Sequence, residues 1–131
     1  MKPNKPPRIA ILLVNLGTPD EPTAPAVRRY LKQFLSDPRV IEIPQFLWAI
    51  ILNLFVLPSR PKRVAAAYAS VWEGDSPIRR ILAQQVEKLQ SRLDGSLAPF
   101  EVSVHSAMTY GNPGLPDVMD SLRSEGVDHF V

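Results

Sequence analysis

The sequence predicts an α/β protein built on a parallel sheet with helical crossovers, and three observations predict it. Arg8 to Val14 (RIAILLV) is an unbroken run rich in branched apolar residues, the pattern of a strand covered on both faces. Stretches with a 3.6-residue apolar period separate this run from two later strand-like segments. The resulting order is strand, several helices, strand, helix, strand, and helical crossovers join parallel neighbours with right-handed connections.

Each element has its own signal. The first strand runs into Asn15-Leu16-Gly17-Thr18-Pro19-Asp20, turn chemistry apart from Leu16, so a loop is expected there. Val27, Tyr30, Leu31, Phe34 and Leu35 form one helical face, which Asp37-Pro38 stops. Residues 46–57 follow, apolar except for Asn53, and prolines 44 and 58 bracket them. Ser59-Arg60-Pro61 reads as the start of the next helix, whose face is Val64, Tyr68, Val71 and Trp72 and which Gly74 closes. Ser76-Pro77 is a strong helix start, an N-cap hydroxyl with proline at the first helical position. That helix holds its period from Ile78 to Leu93. Phe100, Val102 and Val104 alternate with polar residues up to Met108 in a second strand, and a loop is expected over 109–114. Leu115 to Leu122 make a short helix, and Val127 to Val131 begin a third strand. A sheet whose last strand is unfinished closes poorly, so the chain is expected to be the front part of a longer protein.

The 131 residues suffice for one domain with a core, and 45% hydrophobic with 21% charged content is ordinary for a globular chain. Residues 1–7, basic and proline-rich, are expected to form a flexible tail. The net charge of +2 is small and the basic residues are scattered, so nucleic acid is not an expected partner. The absence of cysteine excludes disulfides, thiolate metal sites and a cysteine nucleophile within this chain. The short apolar run after the tail lacks a cleavage pattern, which points to a cytoplasmic location. Twelve helical residues reach about 18 Å against roughly 30 Å of hydrocarbon, so segment 46–57 is too short to cross a bilayer. It either fills a core or presents apolar surface to a flat ligand or membrane.

In open α/β sheets, ligands bind at the edge where the loops after successive strands meet. Here those loops are Asn15–Pro19 and Thr109–Pro113, each also consistent with an ordinary packed turn. No GxGxxG or GxxxxGK[ST] pattern is present, which argues against a dinucleotide or triphosphate loop. His105 lies inside the second strand with no second ligand at metal spacing, and His129 stands alone in the third. The pairs Arg28-Arg29, Lys62-Arg63 and Arg79-Arg80 offer groups that recognise carboxylates, but such doublets are as a rule solvated helix faces. Asp20 and Glu21 are able to attract a cation, though residues so placed more often serve a helix N-terminus.

Four words taken together resemble one family. VNLGTPDEPTAPAVRRYLKQFLSDPRVIEIP, YASVWEGDSPI, AMTYGNP and EGVDHFV are similar to the N-terminal part of ferrochelatases, in that family's order and spacing over residues 8–131. The resemblance implies a chelatase-like fold of two similar α/β domains with Rossmann-like layers. Residues 8–131 would make most of the first domain, truncated in its third strand, with an apolar lip at 43–58. It implies insertion of ferrous iron into protoporphyrin IX to form haem, with iron as a substrate and no cofactor held by this chain. An iron–sulfur cluster elsewhere in a longer chain stays open.

By the same resemblance, the porphyrin contacts are Asn15, Leu16, Gly17, Thr18, Pro19, Ser76 and Tyr110. The lip is Phe46, Leu47, Trp48, Ile50, Ile51, Leu54 and Phe55, and it contacts a membrane in some members. Leu16 stands where a coproporphyrin-using branch often has tyrosine, which favours protoporphyrin. Thr109 replaces a basic residue common beside the tyrosine, which puts propionate recognition there in doubt. Ser76 is implied either to bind a propionate or to cap its helix. The family's metal-handling histidine and glutamate belong to motifs beyond position 131, so the resemblance implies no catalytic or metal-binding residue here and no iron insertion by the chain alone. A stand-alone porphyrin- or membrane-binding module is the alternative.

Overall fold

The structure, a computed structural model, describes residues 5–131. The elements are β1 (Arg8–Thr18), α1 (Ala24–Leu35), α2 (Gln45–Ile51), a π-helical turn (Leu52–Val56), α3 (Leu57–Val71), α4 (Pro77–Leu93), β2 (Glu101–Gly111), α5 (Leu115–Ser124) and β3 (His129–Phe130). The strands form a parallel sheet in the order β2-β1-β3. The expected α/β class and element order are therefore present. Of the expected tail, residues 1–4 lie outside the described residues, and Lys5 to Pro7 have no regular structure.

The chain divides into two compact units. One holds the chain up to Leu16, Arg80–Thr109 and Pro113–Val131. In it Ile9 pairs with His129 and Ala10 with Phe130, and the ladder continues as Leu12 N–H donates to Val131 O at 2.8 Å. Ala10, Val104, Ala107 and Met108 are buried, as apolar residues on a covered sheet should be. β2 is an edge strand, and Gln90 of α4 occupies part of its free side. The Gln90 amide donates to Val102 O at 3.1 Å and accepts from Val104 N–H at 2.7 Å, so one side chain satisfies two strand groups. His105 is half-buried and its Nε2 lies 2.9 Å from Ser103 Oγ, a local strand contact.

The other unit holds Gly17–Arg79 and Tyr110–Asn112. Here α1 packs on α3, burying Ala26, Val27 and Tyr30 from one and Leu57, Pro61 and Ala65 from the other. Thr23 caps α1 through its hydroxyl, with Pro25 in the first turn.

Three expectations need correction. β1 runs through Thr18 and β2 through Gly111, where loops were expected over 15–20 and 109–114. Gly17 explains the longer strand: a Cβ there would fall 1.9 Å from the Tyr110 carbonyl oxygen, so only glycine, at φ 134°, lets the two backbones run this close. The prolines around residues 46–57 do not bracket a separate segment, and the helix does not begin at Ser59. Helical structure is continuous from Gln45 to Val71, and Pro58 and Pro61 lie inside it.

The π turn makes this possible. Leu57 N–H donates to Leu52 O, five residues back, and the widened turn accommodates residues that lack an N–H donor. The Asn53 amide donates to Ala49 O and the Ser59 hydroxyl to Phe55 O, both at 2.7 Å. The extra residue also moves the buried stripe, which falls at Leu52, Leu57, Pro61 and Ala65, spaced five, four and four. Finally, β3 begins at His129 rather than Val127. No helix among the described residues is long and apolar enough to cross a membrane.

Candidate functional site

Gly17 and Thr18, which end β1, and Pro19 after them lie beside Tyr110 and Gly111, which end β2, and Asn112, and this junction belongs to the second unit. Thr18 and Ser76 are fully buried, and Gly17 and Pro19 are buried with them. Tyr30, from the middle of α1, donates its hydroxyl to Gly17 O at 3.2 Å. The Gln33 side chain accepts from Gly111 N–H at 2.8 Å. The Tyr30 and Phe34 rings stack with centroids 6.1 Å apart, and Phe34 meets Tyr110 edge-on at 5.1 Å. Thr18 Oγ1 makes no hydrogen bond of normal geometry, although the Tyr68 hydroxyl lies near enough to interact with it.

Charge is distributed at the rim. Tyr110 donates its hydroxyl to Asp37 Oδ2 at 2.6 Å, and Arg39 holds the same carboxylate through Nε at 3.1 Å and Nη2 at 2.8 Å. The hydrogen bonds from Arg39 first and Tyr110 second keep Asp37 well below the usual carboxylate range. Burial, reinforced by Tyr68 and Tyr110, pushes Tyr30 up to about 12. The Tyr110 hydroxyl is likewise raised, chiefly by its bond to Asp37. Asp37 therefore stays ionised and the tyrosines stay protonated across ordinary pH. This is a fixed hydrogen-bonding frame and not a proton relay.

Arg79 ties the junction to the start of α4. Its guanidinium donates to Asp75, to Asn112 O at 3.1 Å and to Pro19 O at 3.4 Å, and stands 3.7 Å from Asp20 Oδ1. Asn112 Nδ2 in turn donates to Asp20 Oδ2 at 3.1 Å. The expected solvated doublet thus contains a clamp. The signal for it was Asp75 four residues before Arg79, a helical ion-pair spacing across the N-cap.

The structure sorts the expected binding residues into two groups. Gly17, Thr18, Pro19, Ser76 and Tyr110 are frame residues with little or no free surface. Ser76 accepts from Arg79 N–H at 3.3 Å, so of its two implied roles the geometry supplies the cap and leaves no exposed surface for a propionate. Asn15 and Leu16, in the other unit, are exposed: Asn15 Oδ1 accepts from Leu16 N–H at 2.7 Å, and the leucine side chain is 50% exposed. The cavity at the junction, about 120 Å³ and lined by Thr18, Asp20, Tyr30, Gln33 and Asn112 among others, is smaller than typical ligand pockets of roughly 300 Å³ or more.

The lip residues divide by face. Phe46 is 74% exposed and Phe55 67%, and Leu47, Ile50 and Leu54 are also open, whereas Trp48 and Ile51 are half-buried. Trp48 donates its indole N–H to Leu35 O, which pins α2 onto the end of α1. The segment therefore both packs inward and presents an apolar row outward. Among the described residues, no group of three or more His, Cys, Asp or Glu side chains stands at metal-binding separation.

A parallel sheet with helical crossovers, close-packed strand ends and an exposed apolar helix defines the class as an α/β protein of layered, Rossmann-like type. Comparison with known proteins makes it specific. The sequence model of the ferrochelatase family matches residues 8–131, and the chain belongs to that family. A ferrochelatase of Psychrobacter sp. strain PRwf-1 is 85% identical over 131 residues, which is all of this chain and 39% of that protein. The ferrochelatase of Psychrobacter cryohalolentis is 83% identical over the same span, and one from Acinetobacter baumannii is 58% identical over 125 residues. The chain thus spans about 39% of the length of the Psychrobacter relatives it matches.

Proposed function

We propose that this chain is the porphyrin-binding front of a ferrochelatase that inserts ferrous iron into protoporphyrin IX. The observation that carries this reading is the match to ferrochelatases along the whole chain, together with an exposed Leu16 next to a rigid Gly17 frame. A planar tetrapyrrole needs apolar walls, and Leu16 and the open row of α2 and the π turn have the chemistry for them. The frame residues contribute stiffness: a wall that does not yield can use binding energy to bend the ring and bare its pyrrole nitrogen lone pairs. The two pyrrole protons then leave as iron enters, accepted by the histidine that the resemblance places beyond residue 131. The chain alone is proposed to be inactive for that reason, and to be cytoplasmic with the apolar row resting on a membrane surface.

The test is a chimera in which residues 1–131 replace the matching portion of the 85% identical Psychrobacter ferrochelatase. It is expected to insert ferrous iron into protoporphyrin IX at a rate within about tenfold of the parent. A well-folded chimera that binds no porphyrin would overturn the reading. In that chimera Leu16→Asp, an exposed position, is expected to raise KM for protoporphyrin by roughly tenfold or more through loss of apolar contact, without unfolding the protein.

A further inference from the structure

A second concave surface lies in the same unit as the apolar row and adjoins the junction described above, sharing Arg29 with its cavity. It is an open groove of about 520 Å³ between the first turns of α1 and α3, lined by Ala24, Pro25, Arg28, Arg29, Leu57, Pro58, Pro61 and Lys62. Three of its eight lining residues are cations, no carboxylate lines it, and its apolar part is leucine, alanine and prolines. Arg28, Arg29 and Lys62 are exposed, and none of them makes an ion pair among the described residues. Unlike Arg79 and Arg39, their charges are not used by the fold.

The geometry points to this groove as a binding site for the anionic phosphate headgroup of a membrane phospholipid. Charge complementarity selects an oxyanion, because two guanidinium groups and an ammonium converge on one apolar-floored groove. The surroundings select a membrane source. Residues 45–71 carry Arg60, Lys62 and Arg63 and no Asp or Glu, and the groove's Leu57 and Pro58 come one residue after Leu54 and Phe55, which are open to solvent. An exposed apolar row continuous with an all-cationic turn is the pattern of a helix lying in a bilayer interface. This deepens the membrane contact proposed above by naming where the headgroup sits and which side chains hold it.

The experiment uses the chimera with phosphatidylcholine vesicles, with equimolar phosphatidylcholine–phosphatidylglycerol vesicles, and with inorganic phosphate as competitor. The intact chimera is expected to prefer the anionic vesicles, less so as salt rises. Arg28→Gln/Arg29→Gln/Lys62→Gln is expected to lower that preference by on the order of a hundredfold, about fivefold per cation, and Arg28→Gln/Lys62→Gln, which spares the junction cavity, to lower it by roughly twenty-five-fold with iron insertion in detergent unchanged. Lys62→Glu alone should lose more than Lys62→Gln. Phe46→Ser/Phe55→Ser is expected instead to weaken binding to both vesicle types equally, which separates the groove from the apolar row. Retention of the full anionic preference by the triple variant overturns the inference. So does saturable binding of inorganic phosphate that the triple variant abolishes while vesicle preference persists, since the groove would then serve a free oxyanion. An anionic preference in a chimera that fails to insert iron would leave the headgroup site standing and count against the proposed function alone.

Discussion

Tyr30 shows what one side chain contributes to the frame. Its hydroxyl serves the Gly17 carbonyl from inside α1, and burial raises its pKa to about 12, above the ordinary phenol value of 10.0. The protonated form is thus favoured in the folded state. Its stabilising contribution is complete below pH 10, where the unfolded phenol is also neutral, and is lost as pH rises through about 12. Urea midpoints measured across that window should fall steeply for the parent and less steeply for Tyr30→Phe. At neutral pH the variant should lose about 1 kcal/mol for the missing hydrogen bond. Equal alkaline slopes would show that Tyr30 does not couple ionisation to folding. Asp37 works in the opposite direction, its stabilising effect present above the ordinary carboxylate value of 3.8 and lost as acid drives it through its lower folded value. Gly17 is a steric requirement: Gly17→Ala would place a methyl group against the Tyr110 carbonyl and is expected to lower stability by at least about 2 kcal/mol in chemical denaturation.

At the level of the element, the continuous helix from Gln45 to Val71 carries two jobs on two faces. Leu52 is buried against its own unit and Phe46 is open, although both sit in the same apolar word of the sequence. Leu52→Ala is therefore expected to cost about 2–5 kcal/mol, whereas Phe46→Ser should change stability by no more than about 0.5 kcal/mol. Comparable losses from both variants, read as denaturant midpoints, would mean that the outward row is packed in solution. Gln90 makes the corresponding argument for the sheet. Gln90→Ala would leave the Val104 N–H and the Val102 carbonyl without their partner on the edge of β2, a loss of about 1–3 kcal/mol. Hydrogen exchange at Val104 should accelerate in that variant before exchange at Ala10 does.

For the molecule as a whole, the relevant quantity is the share of a ferrochelatase that these residues represent. The chain spans 39% of its Psychrobacter relatives, and the frame, exposed leucine and apolar row are proposed as binding features. Purified alone, it is expected to show no ferrous-iron insertion above the uncatalysed rate while the chimera turns over. Measurable insertion by the 131-residue chain would place catalytic groups where the proposal has none.

Much of this was legible from local patterns. The unbroken apolar run of β1, the Ser76-Pro77 start of α4 and the strand–helix alternation each depend on neighbours within a few residues, and each reads correctly. The four motif words determined the family, and the apolar content of residues 46–57 announced surface that needed an explanation. Tertiary structure decided the rest, because the deciding contacts join residues far apart. Gly17 needs to be glycine only because Tyr110 arrives beside it, and Arg79 becomes a clamp only where Asn112 and Pro19 turn their carbonyls toward it. In a segment apolar but for Asn53 no period separates inward from outward positions. The π turn made that choice beyond Leu52, moving the buried stripe by one residue to Leu57 and leaving Leu54 and Phe55 on the open face.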